Sequence, residues 1–268
     1  MATQSERVGI RKALLASVAK VKLDARHCDT CPSVATLEKR EHQREEWVSL
    51  VAHDLKQPLN TIALGAQLLA RSPRLNGTDT EEISRILWAA RAMSRQVSDL
   101  LDASLIDARR MRVECMPVTL PALVEGAMRH LPELAGRCRV DIEPGAEAPV
   151  RADADRVEQV LGNLLSNAAK YGTPGTEIAI AIAPCDAVEG AVRTTVSNHG
   201  AGIPPHELPR VFDRYRRCRE ARRAPRSGLG LGLYIARGLI EAQGGRIWAE
   251  SIPGLTTRFH FTLPLVAR

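Results

Sequence analysis

Residues 156–171 read RVEQVLGNLLSNAAKY, and their spacing sets the fold class. Val157, Val160, Leu161, Leu164, Leu165 and Ala168 return at three- and four-residue steps, the stripe of an amphipathic helix. Asn163, Asn167, Lys170 and Tyr171 recur at the same steps on another face. Asparagine is a poor residue inside a helix, so two on one line require a reason. Their amide oxygens suit a hard cation such as Mg²⁺, and Lys170 offers a point charge to phosphate. A surface helix with chance amides accounts for the same spacing at this point.

Around this helix the pattern is strand-like. The runs RVDIE (139–143), TEIAIAIAP (176–184), AVRTTVSN (191–198), RIWAES (246–251) and TTRFHFTLPL (256–265) carry the Ile, Val and Thr of a pleated surface. They alternate with helical runs at 121–131, 154–171 and 229–243, which predicts an α+β layer domain over 118–268. Two glycine-rich segments interrupt it. In VSNHGAGIP (196–204), Gly200 and Gly202 permit a tight turn and close approach to a ligand. In SGLGLGLYIARGLIEAQGG (227–245), Gly228, Gly230 and Gly232 alternate with Leu229 and Leu231 just before an apolar helix. Such a loop presents backbone N–H groups at a helix N-terminus, where phosphate binds. It is not the dinucleotide fingerprint, because GxGxG differs from GxGxxG and no strand runs directly into it. Arg214, Arg216, Arg217, Arg219, Arg222, Arg223 and Arg226 lie just upstream and read as a mobile basic lid over that loop.

The N-terminal half is helical. One long helix is expected from about Thr36 to Arg71, with Val48, Val51, Leu55, Ile62, Ala66 and Leu69 as its stripe and Pro58 as a kink. A second runs from about Glu81 to Ala108, with Ile83, Leu87, Ala90, Ser94, Val97, Leu101 and Leu105. Two antiparallel helices cannot enclose both stripes, so a second copy is expected to complete a four-helix bundle. Residues 38–110 form this unit, 111–117 read as a linker, and 1–37 as one short helix broken by HCDTCPS (27–33). The CxxC of Cys28 and Cys31 has no second pair, so incidental thiols explain it as simply as zinc does.

Composition narrows the function classes. The chain has 268 residues, a formal charge of +6 and only 3% aromatics. That aromatic content argues against a protein that stacks single-stranded bases. The arginines cluster beside the glycine loop, which favours a nucleotide phosphate over nucleic acid as their partner. No apolar run approaches the roughly 20 residues of a membrane span, and no secretory signal is visible. Six scattered cysteines fit reduced thiols, so a cytoplasmic location is expected.

The run AHDLKQPLN (52–60) places His53 on the polar side of the first helix, with Asp54 beside it and Gln57 one turn on. A carboxylate that accepts Nδ1–H leaves Nε2 with a free lone pair, the form a nucleophile needs. A solvated surface histidine is the plain alternative.

Taken together these blocks resemble the sensor histidine kinases of bacterial two-component systems over about residues 38–268. AHDLKQPLN is similar to the phospho-acceptor box, QVLGNLLSNAAKY to the N box, and VSNHGAGIP to the first glycine box. VFDRYRR (211–217) is similar to the F box, GLGLGL to the second glycine box, and GGRIWAESIPGLTTRFHFTLP to the final strands. The resemblance implies a dimeric histidine-phosphotransfer hairpin followed by a GHKL-type ATP-binding α/β sandwich. It implies His53 as phospho-acceptor assisted by Asp54, and Gln57 where the family orients a water for dephosphorylation. It implies Asn167 as Mg²⁺ ligand, with Asn163, Lys170, Tyr171, Asn198, Gly200, Gly202 and Thr257 around the ATP. Gly228, Leu229, Gly230, Leu231 and Gly232 would contact phosphates, and Phe212 and Tyr215 would anchor the lid. The implied partners are a second copy of the chain and a response-regulator receiver domain. With no spanning segment visible, the signal is expected from a separate sensor protein, from the short N-terminal helix or from a sensory part outside this sequence.

Two residues depart from the pattern. Asn198 stands where an Asp usually accepts the adenine amino group; its Oδ1 still accepts, without the charge. Thr256 replaces a glycine usual in the last motif and is expected to stiffen a turn there. Two other readings stay open: a phosphotransfer or phosphatase scaffold of the same family that binds ATP weakly, and a GHKL ATPase that is not a kinase.

Overall fold

The computed structural model describes residues 55–70, 77–131, 134, 136–185, 187–216 and 229–266. The expectations for the 1–37 helix, Cys28, Cys31, His53, Asp54, Gly228 and Arg217 to Arg226 lie outside these residues.

Helix α1 spans 55–70 and α2 spans Gly77–Asp107, four residues earlier at its start than the spacing predicts. Leu59, Ala66, Ile83 and Ala90 are buried along them. Helix α2 stops without a glycine: Arg109 takes φ 56° and Arg110 N–H reaches back to the Leu105 carbonyl.

The α/β unit follows with β1 (Met116–Val118), α3 (Leu120–Arg129), β2 (Cys138–Ile142), β3 (Val150–Ala152) and α4 (Ala154–Tyr171). Then come β4 (Ile178–Pro184), β5 (Ala191–His199), α5 (Gly232–Ala242), β6 (Arg246–Ile252) and β7 (Thr256–Pro264). The main sheet runs β2-β4-β5-β7-β6, with β2 parallel to β4 and the other pairs antiparallel. The expected 111–117 linker is only partly a linker: its last two residues open β1, which pairs with β3 in a two-stranded sheet.

One face of the main sheet carries the core. Ile178, Ile180, Ile182, Val192, Val196, Phe259, Phe261 and Leu263 alternate along the strands onto that face. They share one cluster with Leu161, Leu164 and Leu165 of α4 and Ile235, Leu239 and Ile240 of α5. The result is the expected two-layer α+β sandwich beside a helical hairpin.

Helices α4 and α5 run antiparallel, and polar contacts fix their register. Asp153 caps α4 by accepting the Arg156 N–H at 3.2 Å, and its own N–H donates to Gln243 Oε1, just past α5, at 2.8 Å. At the other end Asn163 Nδ2 donates to the Gly232 carbonyl at 3.1 Å. The first contact satisfies an orphan donor of the helix start; the second brings the glycine loop to the asparagine face.

Candidate functional site

The site is built where the C-terminal half of α4 meets the ends of β5 and β7 and the start of α5. Asn163 is half-buried; its Nδ2 donates to the Gly232 carbonyl, and its Oδ1 is an acceptor that could ligate a cation. A Cβ on Gly232 would lie 3.4 Å from the Asn163 amide, so this residue type keeps helix and loop in contact. Asn167 follows one turn later on the same face, half-buried. Lys170 is half-buried with Nζ 5.1 Å from the ring centroid of Tyr171, which is itself exposed.

The end of α4 is stitched to the first glycine turn. Gly172 and Gly200 form an isolated antiparallel bridge, and Thr173 N–H donates to the His199 carbonyl at 2.8 Å. A Cβ on Gly200 would sit 2.6 Å from the Tyr171 carbonyl oxygen, so only glycine allows this approach. Gly202 has φ 74°, and a Cβ there would meet the Ile252 carbonyl at 2.8 Å.

Asn198 is 6% exposed at the end of β5. Its Nδ2 donates to the His199 carbonyl at 3.2 Å, while Oδ1 accepts no bond among the described residues. The buried amide thus presents an acceptor. Its neighbour in the register is Thr257, also buried and 3.0 Å from Ser251 Oγ. Thr256 does not sit in a turn as expected. It begins β7, and its hydroxyl donates to the Asn198 carbonyl at 3.1 Å; the turn is made by Gly254, at φ 75°.

On the glycine-loop side, Leu229 and Gly230 lead into α5. The Leu231 side chain is not at the site: it is 1% exposed and belongs to the core, so only its backbone faces the loop. Phe212 is buried edge-on to Phe259 with centroids 6.2 Å apart. Tyr215 is exposed and holds φ 59°. Arg214 is not a free cation aimed at a phosphate, as the basic-run reading implied; it is paired with Asp107 of α2. Gln57 is exposed on α1.

Several contacts escaped the sequence reading. Ser251 Oγ accepts the Ile203 N–H at 2.8 Å and donates to the Thr256 carbonyl at 2.9 Å, fastening the first glycine turn to the β6–β7 hairpin. Asp102 of α2 accepts from Arg156 at 3.2 Å and from Gln159 at 2.7 Å. One signal was available: carboxylates in the last turns of a helix oppose its dipole and need cationic partners. Asp102 and Asp107 both occupy such positions, and no basic residue lies in the last turn of α2.

The donor set fits a nucleotide with a hard divalent cation. It combines amide oxygens on α4, a buried acceptor at Asn198, and glycine backbone at a helix start.

Comparison with known proteins agrees with this geometry. Residues 152–267 match the family described as histidine kinase-, DNA gyrase B- and HSP90-like ATPase. Residues 43–109 match the His Kinase A (phospho-acceptor) domain. The sensor histidine kinase WalK of Bacillus subtilis is 31% identical over 247 residues, covering 86% of this chain and 38% of WalK. The adaptive-response sensory kinase SasA of Synechococcus sp. (strain JA-2-3B'a(2-13)) is 30% identical over 240 residues, covering 86% of this chain and 62% of SasA. The chain therefore spans less than two thirds of either relative. Full-length ShkA, solved in complex with AMPPNP, superposes on 83% of this chain and 47% of its own with TM-score 0.65 at 22% identity. The Acinetobacter baumannii histidine kinase AdeS covers 79% of this chain and 97% of its own with TM-score 0.53 at 20% identity. These two share the fold. With a phospho-acceptor domain and an ATPase domain matched in that order over most of the chain, and with sensor histidine kinases among its relatives, the chain belongs to the sensor histidine kinases of two-component systems.

Proposed function

We propose that this chain is an ATP-dependent protein-histidine kinase that phosphorylates His53 and passes the phosphoryl group to an aspartate of a response-regulator receiver domain. One observation carries the reading: the asparagine face of α4 is fastened at Asn163 to the start of the glycine-loop helix and, through Gly172 and Gly200, to the buried acceptor at Asn198. That arrangement supports an adenine amino group on Asn198 Oδ1 and phosphates beside Gly230 and Gly232. Asn163, Lys170, Tyr171, Gly202 and Thr257 would line the same site. Mg²⁺ held by the Asn167 amide oxygen would offset phosphate charge when bound.

Neutral His53 attacks in line. Its Nε2 lone pair forms the N–P bond as the bond from γ-phosphorus to the bridging oxygen breaks, and ADP leaves. Asp54 holds the Nδ1 proton. Positioning and charge neutralisation dominate such a transfer. The proposed division is a phosphotransfer hairpin over 38–110 and a catalytic unit over 118–268. A homodimer, a cytoplasmic location and input from a separate sensor protein complete the reading. The dimer is supported by the exposed apolar residues on α1 and α2. Among the described residues no helix is long and apolar enough to cross a membrane. Gln57, exposed on α1, would orient the water that dephosphorylates the partner.

The test is incubation of purified protein with γ-labelled ATP. Acid-labile, base-stable label that disappears in His53→Ala supports the reading. No label on the wild type, or label that survives in His53→Ala, defeats it. Asn198 in place of Asp favours the weak-binding scaffold as second reading, and absence of ATP binding at millimolar concentration would select it.

A further inference from the structure

Asp107 is the last residue of α2, and its carboxylate is held from two sides. Arg214 Nη1 donates to Oδ2, and the Tyr234 hydroxyl donates to Oδ1. Arg214 stands in the turn after Phe212, and Tyr234 is the third residue of α5. The two segments converge on the glycine loop. Gly230, at φ 72°, lies so close to 215–216 that a Cβ would come 2.8 Å from the Arg216 carbonyl oxygen.

A chain of contacts runs inward from Asp107. Arg214 Nη2 donates to the Tyr215 hydroxyl at 2.9 Å, and its guanidinium lies 4.8 Å from that ring's centroid. The guanidinium thereby secures Tyr215 in its unusual backbone conformation, and the Tyr215–Arg216 backbone abuts Gly230. Arg214 Nε is buried without a hydrogen-bond partner among the described residues, so the charge of Asp107 is its main compensation. On the other side, Tyr234 lies in the turn of α5 that begins at Gly232, the residue bonded to Asn163. Burial first, and then Asp107, push the Tyr234 phenol up to about 12; Arg214 and Arg237 oppose them.

We propose that Asp107 is a positioning residue for the nucleotide site, holding Arg214 and Tyr234 so that the end of α2 sets the backbone of the glycine loop. This rests on the nucleotide reading above. Asp107 touches no substrate; it acts through the two residues it holds. Coupling between sites is reciprocal, so a nucleotide also strengthens the attachment of α2. Movement of the hairpin then changes nucleotide affinity without any residue of the site being altered.

The experiment is calorimetric titration of the full chain with ADP in the presence of Mg²⁺. Asp107→Asn weakens binding about 10-fold, Arg214→Met weakens it similarly, and the double variant loses no more than either single one. Asp107→Glu restores at least half of the loss on a logarithmic scale. Tyr234→Phe removes one hydroxyl and gives a loss of about 3-fold, a second route should the charged variants fail to fold. A wild type that binds ADP while Asp107→Asn binds equally well overturns this proposal alone. Losses that add in the double variant also overturn it, since separate structural defects add. A wild type that binds no ADP overturns the nucleotide reading and this proposal with it.

Discussion

The two regions of this molecule treat apolar residues in opposite ways. In the α/β unit the stripes of α4 and α5 close onto the sheet, and Leu161, Leu164, Leu165 and Leu239 are fully buried. In the hairpin, Ile62 is 50% exposed, Leu69 58% and Trp88 65%. The first region completes its own core. The second has the same helical spacing but leaves much of its apolar surface open, which the proposed bundle of two copies would cover.

The largest expected effect tests that contrast directly. Leu164→Ala should lower the unfolding free energy by about 2–5 kcal/mol, because it opens a cavity in a sealed core. Ile62→Ser with Leu69→Ser should leave the chemical unfolding midpoint of the α/β unit unchanged and shift the dimer toward monomer in sedimentation. A double variant as dimeric as the wild type would mean that this face of α1 is not the one the second copy covers.

Next in size is the seam between the two regions. A Cβ on Gly238 of α5 would lie 2.6–2.7 Å from three carbons of Ile106, beside fully buried Ala103. Gly238→Ala should cost about 1–3 kcal/mol, the range for an overpacked contact. Hydrogen exchange should then show faster opening at the end of α2 than in β5. Uniform acceleration across both regions would instead mean that hairpin and α/β unit open as one.

At the rim of the sealed region, Asn198→Asp should tighten ADP binding about 10-fold, because a charged acceptor strengthens a hydrogen bond by roughly 1 kcal/mol or more. Calorimetry reads this effect. Weaker binding would argue that Oδ1 of Asn198 is not the adenine acceptor, and that the amide serves only to hold the His199 carbonyl.

Legibility followed the same division. Helix α4 spans the residues that spacing predicted, because its stripe meets a continuous core and Asp153 marks its start. Five strands were legible since alternation and burial coincide along them. β1 and β3 were not: three residues carry no period, and Pro117 belongs to a short edge pair held by its partner. The glycine turns were visible because their conformation demands glycine, but the helix stop at Arg109 was not, since an arginine takes the left-handed position there. Roles that depend on distant partners were hidden as well. Arg214 reads as one cation in a basic run, yet its acceptor lies 107 residues away. Thr256 looks like a stiffened turn until its hydroxyl is seen to hold the Asn198 carbonyl.

The smallest effect falls on the hairpin side of the seam. Asp99 lies one turn before Asp102 on α2, and its carboxyl is pushed up from 3.8 to about 6 by burial and then by Asp102, with Arg95 partly offsetting them. Between these two values the folded chain keeps a proton that the unfolded chain releases. Stability contributed by this group therefore falls as pH rises from about 4 to about 6, and the full penalty persists above that window. Asn cannot ionise, so Asp99→Asn should raise the thermal midpoint by a few degrees at pH 8 and leave it unchanged at pH 4. The difference arises because ionised Asp99 is buried and faces the carboxylate of Asp102, whose charge Arg156 offsets only in part. An equal gain at both pH values would trace the effect to packing of the amide. A loss at pH 8 would show that ionised Asp99 has a favourable partner, with Arg95 of the same helix outweighing burial and Asp102.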